Sequence, residues 1–394
     1  MIRSIFKMMW KRKKSVRMML LEMFVSFILL FALSTVILKT LGNRLIPLGY
    51  DYRNVWTLTL NTGISPDDNA QMSNDSIENI ETARLLEKEV KSITGVIAIA
   101  GNVYNIPYND IYRTDLKYEG KTCYNVTYSA TDVRYPEVMQ IKMQEGRWFD
   151  EGDFGSKETP IVINGSLRKA LFGEGQALNE VIQSGLYKVV GVVEYFKNRG
   201  DFSENTPHFF IMMKPGELPW QLLIRSTPGS GEAFRSELLG RTSAIAKDWT
   251  LTAGRLSDFR KRTIRIDWMP VIVISIISTF LIINILLGLM GLVWYNVSRR
   301  KSEIGLRKSV GAPTGKIKIQ LIGEMLTLAT LGIIPGLIIA IQFPLLGAFN
   351  IKPGIFLSGM LAATALIYLF VILSTILPTT IISRIQPAEA LYEE

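Results

Sequence analysis

Cysteine and histidine are nearly missing from this chain, which has 394 residues and one of each, Cys123 and His208. A single cysteine excludes an internal disulfide, and Cys123 lies too far from the N-terminus to carry a lipid anchor. The lone histidine, in Thr206-Pro-His-Phe-Phe210, has no second His or Cys nearby to complete a metal site. No Gly-x-Ser-x-Gly elbow occurs, so hydrolase chemistry of that type has no nucleophile. Gly311-Ala-Pro-Thr-Gly-Lys316 looks like a phosphate loop but has three residues between its glycines where a Walker A motif has four. Ile317 stands where that motif places the magnesium-binding Ser or Thr. Asp150, Glu151 and Asp153, set between a Gly-Arg-Trp-Phe corner and a glycine-rich loop, read as a solvated turn. No catalytic residue, cofactor or metal ligand is expected, and no ATPase within the chain.

Acidic residues are absent from the first seventeen positions, which hold seven Lys or Arg. The net charge of +9 concentrates beside apolar runs, which points to a membrane surface and not to nucleic acid. Mean hydropathy is +0.22. Four segments reach the roughly twenty apolar residues that a bilayer core demands: Met18 to Leu38, Met269 to Trp294, Ile319 to Phe343 and Ile355 to Pro378. The first is full width and lacks a small-x-small cleavage site after Lys39, so it reads as an anchor and not a removable leader. Residues 1–17 suit an amphipathic helix on the inner leaflet. The basic N-terminus and a second basic cluster at 298–318 both belong in the cytoplasm, and an intervening segment crossing outward satisfies both. The expected order is a cytoplasmic helix 1–17, a span 18–40, an exported domain 41–265, a span 266–297, a cytoplasmic loop 298–318, a span 319–343, an outer loop 344–354, a span 355–380 and a cytoplasmic tail 381–394. Trp268, Trp294 and Tyr295 fit interfacial anchors. Glu22 reads as a paired or snorkelling carboxylate, Asn284 as a packing residue, and Gly332, Pro335 and Gly336 as a bend that allows close helix contact.

The exported part opens with a strand, helix, strand pattern: Val55 to Leu60 alternates, Ser76 to Lys91 has helical spacing, and Val96 to Ala100 is a second strand. Residues 102–138 read as β-rich. Pro160 to Asn164 is a strand, Leu167 to Phe172 a helix ending at Gly173, Leu186 to Val193 a strand and Gln221 to Arg225 a further one. A helix from about Gly231 to Asp248 and a strand Thr250 to Ala253 close the domain. The fold class expected is an α+β membrane protein, with four transmembrane helices and a bilobed mixed α/β domain between the first and second.

The segment Ser298 to Glu324 carries seven cations. Glu303 and Arg307 stand at i, i+4, Leu306 and Val310 share a face, and Gly311 occupies a C-cap position just before Pro313. The pattern predicts a helix over 298–310 and a restart with Pro313 in the first turn. Arg299 to Glu324, RRKSEIGLRKSVGAPTGKIKIQLIGE, resembles the signature of the FtsX/MacB-like permease family of ABC transporters. Glu145-Gly-Arg-Trp-Phe149, Pro160 to Asn164, Leu171-Phe-Gly173, Tyr187 to Val192 and Pro387-Ala-Glu-Ala-Leu391 resemble further landmarks of that family. The resemblance implies a half-transporter that dimerises with itself or a related permease. It also implies coupling to a separate cytoplasmic ATPase through Glu303, Ile304, Gly305, Arg307, Lys308 and Gly311. Export or extraction of a peptide, antibiotic or lipoprotein across a bacterial inner membrane, with a periplasmic adaptor as a further partner, is the function implied. Two other readings stand: a regulator of a cell-wall hydrolase that transports nothing, and a membrane sensor.

Overall fold

The computed structural model describes residues 13–63, 74–109, 111–299, 310 and 313–382. Asn43–Asp267 forms one compact unit, and Met1–Gly42 with Trp268–Glu394 forms the other. The chain begins with helix α1 (Lys13–Arg44), then β1 (Val55–Asn61), α2 (Asn74–Ser92) and β2 (Val96–Tyr104). Next come β3 (Arg113–Tyr118), β4 (Lys121–Thr131), α3 (Tyr135–Met139), β5 (Glu145–Gly146), β6 (Thr159–Asn164) and α4 (Gly165–Phe172). β7 (Val181–Ile182), β8 (Tyr187–Val193), β9 (His208–Met212), β10 (Gln221–Ser226), α5 (Glu232–Ile245) and β11 (Thr250–Arg255) complete that unit's regular elements. Helix α6 (Leu256–Arg299) follows, with α7 (Thr314–Ala340), the short α8 (Gln342–Leu345) and α9 (Pro353–Ile382).

The strands of Asn43–Asp267 form one mixed sheet in the order β11-β1-β10-β2-β4-β9-β6-β8-β5, with β3 on β4 and β7 on β8. Side chains alternate across a strand, so the core assignments reveal both faces. Leu222 and Ile224 of β10 pack with Trp56, Leu58, Leu86, Val90, Phe234 and Leu238, beneath α2 and α5. Between them Leu223 points the other way, into a core with Tyr135, Val138, Phe149, Phe196 and Phe210. At the far end Ile161 and Ile163 of β6 pack with Leu167 and Leu171 of α4, whereas Val162 joins the Phe210 core. The two lobes expected from sequence are thus two helix-covered ends of one continuous sheet. Gly191 of β8 is fixed by close approach: a Cβ there would stand 2.2 Å from the Arg147 carbonyl.

The predicted strand, helix, strand opening is present as β1, α2 and β2. Strand β9 was not expected, because Pro207 and a polar histidine hid a segment that lies between β4 and β6. The stretch read as β-rich ends in helix α3, where Pro136 occupies the first turn and needs no N–H partner.

Among the described residues, four helices are long and apolar enough to cross a membrane: Met19–Arg44, Leu256–Gly288, Lys318–Leu345 and Pro353–Ile376. Met23, Phe27 and Phe31 of α1 meet Met325, Ala329 and Ile333 of α7 and Phe356, Met360 and Ile367 of α9. Gly332 and Gly336 of α7 allow that approach, since a Cβ at Gly336 would lie 2.4 Å from the Phe27 ring and one at Gly332 would lie 2.8 Å from Met23. Asn284 turns inward to its own helix, its Nδ2 donating to the Phe280 carbonyl at 2.9 Å. Glu22 lies beside Gly288, its carboxylate 3.7 Å from where a Cβ would stand.

Candidate functional site

The six residues assigned to ATPase coupling, Glu303, Ile304, Gly305, Arg307, Lys308 and Gly311, lie outside the described residues, as does most of the helix expected over 298–310. Their flanks are described. Helix α6 runs to Arg299, Val310 is an exposed turn residue, and Pro313 is the N-cap of α7. Pro313 was expected inside the first turn. Its extended ψ of 134° places it one residue earlier, where a residue without an N–H costs the helix nothing.

The rare side chains are structural. His208 is fully buried, with Nδ1 2.8 Å from Thr127 Oγ1 and Nε2 3.5 Å from Ser129 Oγ. Both hydroxyls also have a backbone acceptor, Ser129 Oγ donating to the Asn105 carbonyl at 2.7 Å and Thr127 Oγ1 to the Pro207 carbonyl at 3.2 Å, so the ring is held in a neutral, fully bonded pocket. Burial holds the imidazole down to about 3. The folded state therefore refuses a proton that the unfolded chain takes near 6.5, so stability is full above about pH 6.5 and falls toward pH 3. By pH 5 the loss from this residue alone is roughly 2 kcal/mol. In urea titrations followed by circular dichroism, the unfolding midpoint of the detergent-solubilised chain should drop between pH 7 and pH 5, and less so in His208→Gln. Equal slopes in the two proteins would remove this account.

Cys123 is a free thiol, half-buried, and burial pushes it up from its ordinary value. In the acidic turn, Asp153 accepts both Arg147 Nη atoms at 2.7 Å, and that guanidinium holds its carboxyl below the usual range. Asp150 accepts from the Gly152 backbone. These carboxylates fasten a corner. Among the described residues no group of His, Cys, Asp or Glu is placed to hold a metal.

The residues that sequence reasoning missed sit in the loop after β8, at the root of Asn43–Asp267. Lys197 is fully buried, yet its ammonium is provided for: Nζ donates to the carbonyls of Asn43 at 2.8 Å, Asp201 at 2.6 Å and Ile46 at 3.5 Å. Burial pushes the ammonium down to about 8, against the pull of the Asp201 carboxylate. Its backbone N–H bonds the Leu48 carbonyl, and Tyr50 Oη donates back to its carbonyl at 3.2 Å. Asn43 Nδ2 donates to the Phe202 carbonyl at 3.0 Å. From the other side, Arg260 grips Asp201 through Nη2 at 2.7 Å and Nε at 2.9 Å while its guanidinium stacks 4.7 Å from the Tyr52 ring. One loop, 197–202, therefore binds both residues 43–48, at and just beyond the end of α1, and the first turns of α6. The only sequence signal was a lysine between Phe196 and Asn198 at the end of an apolar strand.

Two family models match the chain: the MacB-like periplasmic core domain over residues 24–240 and the FtsX-like permease C-terminal part over residues 275–387. The chain is 26% identical over 242 residues to the macrolide export ATP-binding/permease protein MacB 1/2 of Paracoccus denitrificans, covering 57% of this chain and 35% of that protein. It is 25% identical over 295 residues to the uncharacterized ABC transporter permease YvrN of Bacillus subtilis, covering 68% and 71%. With MacB of Bordetella avium it shares 23% identity over 357 residues, covering 83% and 53%. The chain thus spans about a third to a half of the two macrolide export relatives. Among solved structures, the periplasmic region of MacB from Actinobacillus actinomycetemcomitans matches at a TM-score of 0.37 and 14% identity, covering 54% of this chain and 93% of that one.

Proposed function

Because this chain belongs to the MacB/FtsX-like family of ABC transporter permeases, we propose that it is the membrane subunit of an exporter driven by a separate cytoplasmic ATPase. The observation that supports this most is that the periplasmic-core and permease models together match 24–240 and 275–387, in that order. In this reading residues 298–318 take the push of the ATPase, with Glu303, Ile304, Gly305, Arg307, Lys308 and Gly311 at the contact. The movement passes along the spans to the domain 41–265, which lies outside the inner membrane. Such a transmission needs a stiff element and two states. ATP-binding subunits close in pairs, so the permease works as a dimer, with a second copy as the partner. The macrolide export relatives' printed names support an antibiotic-like substrate, and the resemblance leaves a peptide or lipoprotein as the other candidates.

Sidedness is the first test. In a chain carrying Cys123→Ser, a membrane-impermeant maleimide applied to intact cells should label Ser156→Cys and spare Ser302→Cys. Labelling at position 302 would overturn the arrangement, and co-purification without any ATPase would overturn the partner.

A further inference from the structure

Residues 255–265 hold five cations, Arg255, Arg260, Lys261, Arg262 and Arg265, just before Trp268 and the apolar body of α6. If the domain lies outside, as proposed above, this is the side on which Lys and Arg flanking a span are depleted. Two of the five are accounted for: Arg260 grips Asp201, and Lys261 pairs with Asp258 at 3.1 Å. Arg255 and Arg262 have no carboxylate partner among the described residues.

Both line one cavity of about 420 Å³, formed by Trp56, Arg235, Gly254, Phe259 and the first turns of α6. The Arg255 guanidinium lies over the Trp56 ring at 4.8 Å. Trp56 is itself buried, so the stacking fixes the side chain. The acids at the rim are already engaged, Glu232 with Arg235 at 2.8 Å and Asp258 with Lys261. With those pairs set aside, Arg255 and Arg262 remain as the two guanidiniums without a carboxylate partner over a partly aromatic wall. Guanidinium forks match phosphate oxygens in pairs, and the aromatic wall suits the carbon atoms attached to that phosphate. Arg262 precedes Trp268 by six residues of continuous helix, roughly 9 Å of rise, which is headgroup range from an interfacial tryptophan.

We propose that this cavity is a binding site for a phosphate-bearing anion, held by Arg255 and Arg262. The membrane-entering helix makes an anionic phospholipid headgroup its first source, and a free phosphate its second. The inference borrows its lipid source from the permease reading, but its test does not depend on sidedness or on an ATPase.

Native mass spectrometry of the full chain in detergent, titrated with phosphatidylglycerol, with phosphatidylcholine or with inorganic phosphate, reads the site directly. Retention of phosphatidylglycerol should exceed that of phosphatidylcholine by about tenfold and fall by a similar factor in Arg255→Gln/Arg262→Gln. Arg262→Gln alone tests the site without disturbing the stacked Trp56, since Arg262 is exposed; Arg113→Gln, on the distant β3, should change nothing. Inorganic phosphate that displaces the lipid, with the same dependence on Arg262, would assign the site to free phosphate. Equal retention of both lipids by the native chain, or full retention by Arg262→Gln and the double variant, would overturn the proposal.

Discussion

Lys197→Met should free the loop 197–202 of the Asn43–Asp267 domain, raising tryptic cleavage after Arg199 by about tenfold and lowering the domain's unfolding free energy by roughly 2–3 kcal/mol. The substitution keeps the length and apolar stem of the side chain but removes its donors. The Asn43 and Asp201 carbonyls, which accept from Nζ at 2.8 and 2.6 Å, are then buried with that bond unmade. Leaving buried acceptors unmet costs more than the net worth of the bonds, which is why a methionine of matching shape does not rescue the site. Asp201→Asn isolates the second half of the clamp. It keeps the Asp201 backbone acceptor for Lys197 and weakens only the grip of Arg260, whose partner is mostly covered, with 12% side-chain exposure. A smaller rise in cleavage is expected there. Cleavage at the native rate in Lys197→Met would show that the loop is held by something else.

Gly305→Leu is expected to cut permease-stimulated ATP hydrolysis by at least about tenfold, equivalent to about 1.4 kcal/mol of docking free energy, while leaving membrane insertion and dimerisation intact. In the helix that the sequence predicts over 298–310, a glycine costs about 1 kcal/mol relative to alanine. Close approach of a partner backbone gives that cost a purpose, and a leucine side chain would hold the partner away. A solvated basic loop predicts the opposite sign, a silent or slightly stabilised variant. Arg299→Ala serves as the control, because its charge is one of seven in the segment 298–324. Hydrolysis at the native rate in Gly305→Leu would end the coupling assignment.

The four long apolar helices and the β1, α2, β2 opening of Asn43–Asp267 were legible because both follow from local patterns. Apolar length announces the four long helices, alternation announces β1, and short apolar runs announce β6 and β8. Strand β9 was not legible, since its burial comes from β4 and β6 on either side and its first residue is a histidine whose polar atoms are met by Thr127 and Ser129 of another strand. The clamp was hidden for the same reason on a longer scale. Lys197 meets Asn43 across 154 residues and Asp201 meets Arg260 across 59, and no spacing rule connects such positions. The proposed coupling residues have the reverse character: a motif readable in sequence, for which the proposal assigns a partner outside the chain.

The place of β1 in the sheet bears on how the protein is made. It lies between β10 and β11, with Val55 opposite Arg225 and Asn61 opposite Thr250, so its neighbours are among the last strands of the domain to leave the ribosome. Closing that pairing means closing a loop of well over a hundred residues, and until then the edges of β1 stay open. With the domain outside, as proposed, the early strands wait unpaired on that side while the rest of the domain is threaded across, exposed to aggregation and proteolysis for the whole interval. Biogenesis of this permease should depend strongly on extracytoplasmic chaperones, and a chain truncated just before β10 should be degraded and not accumulate as a half-domain.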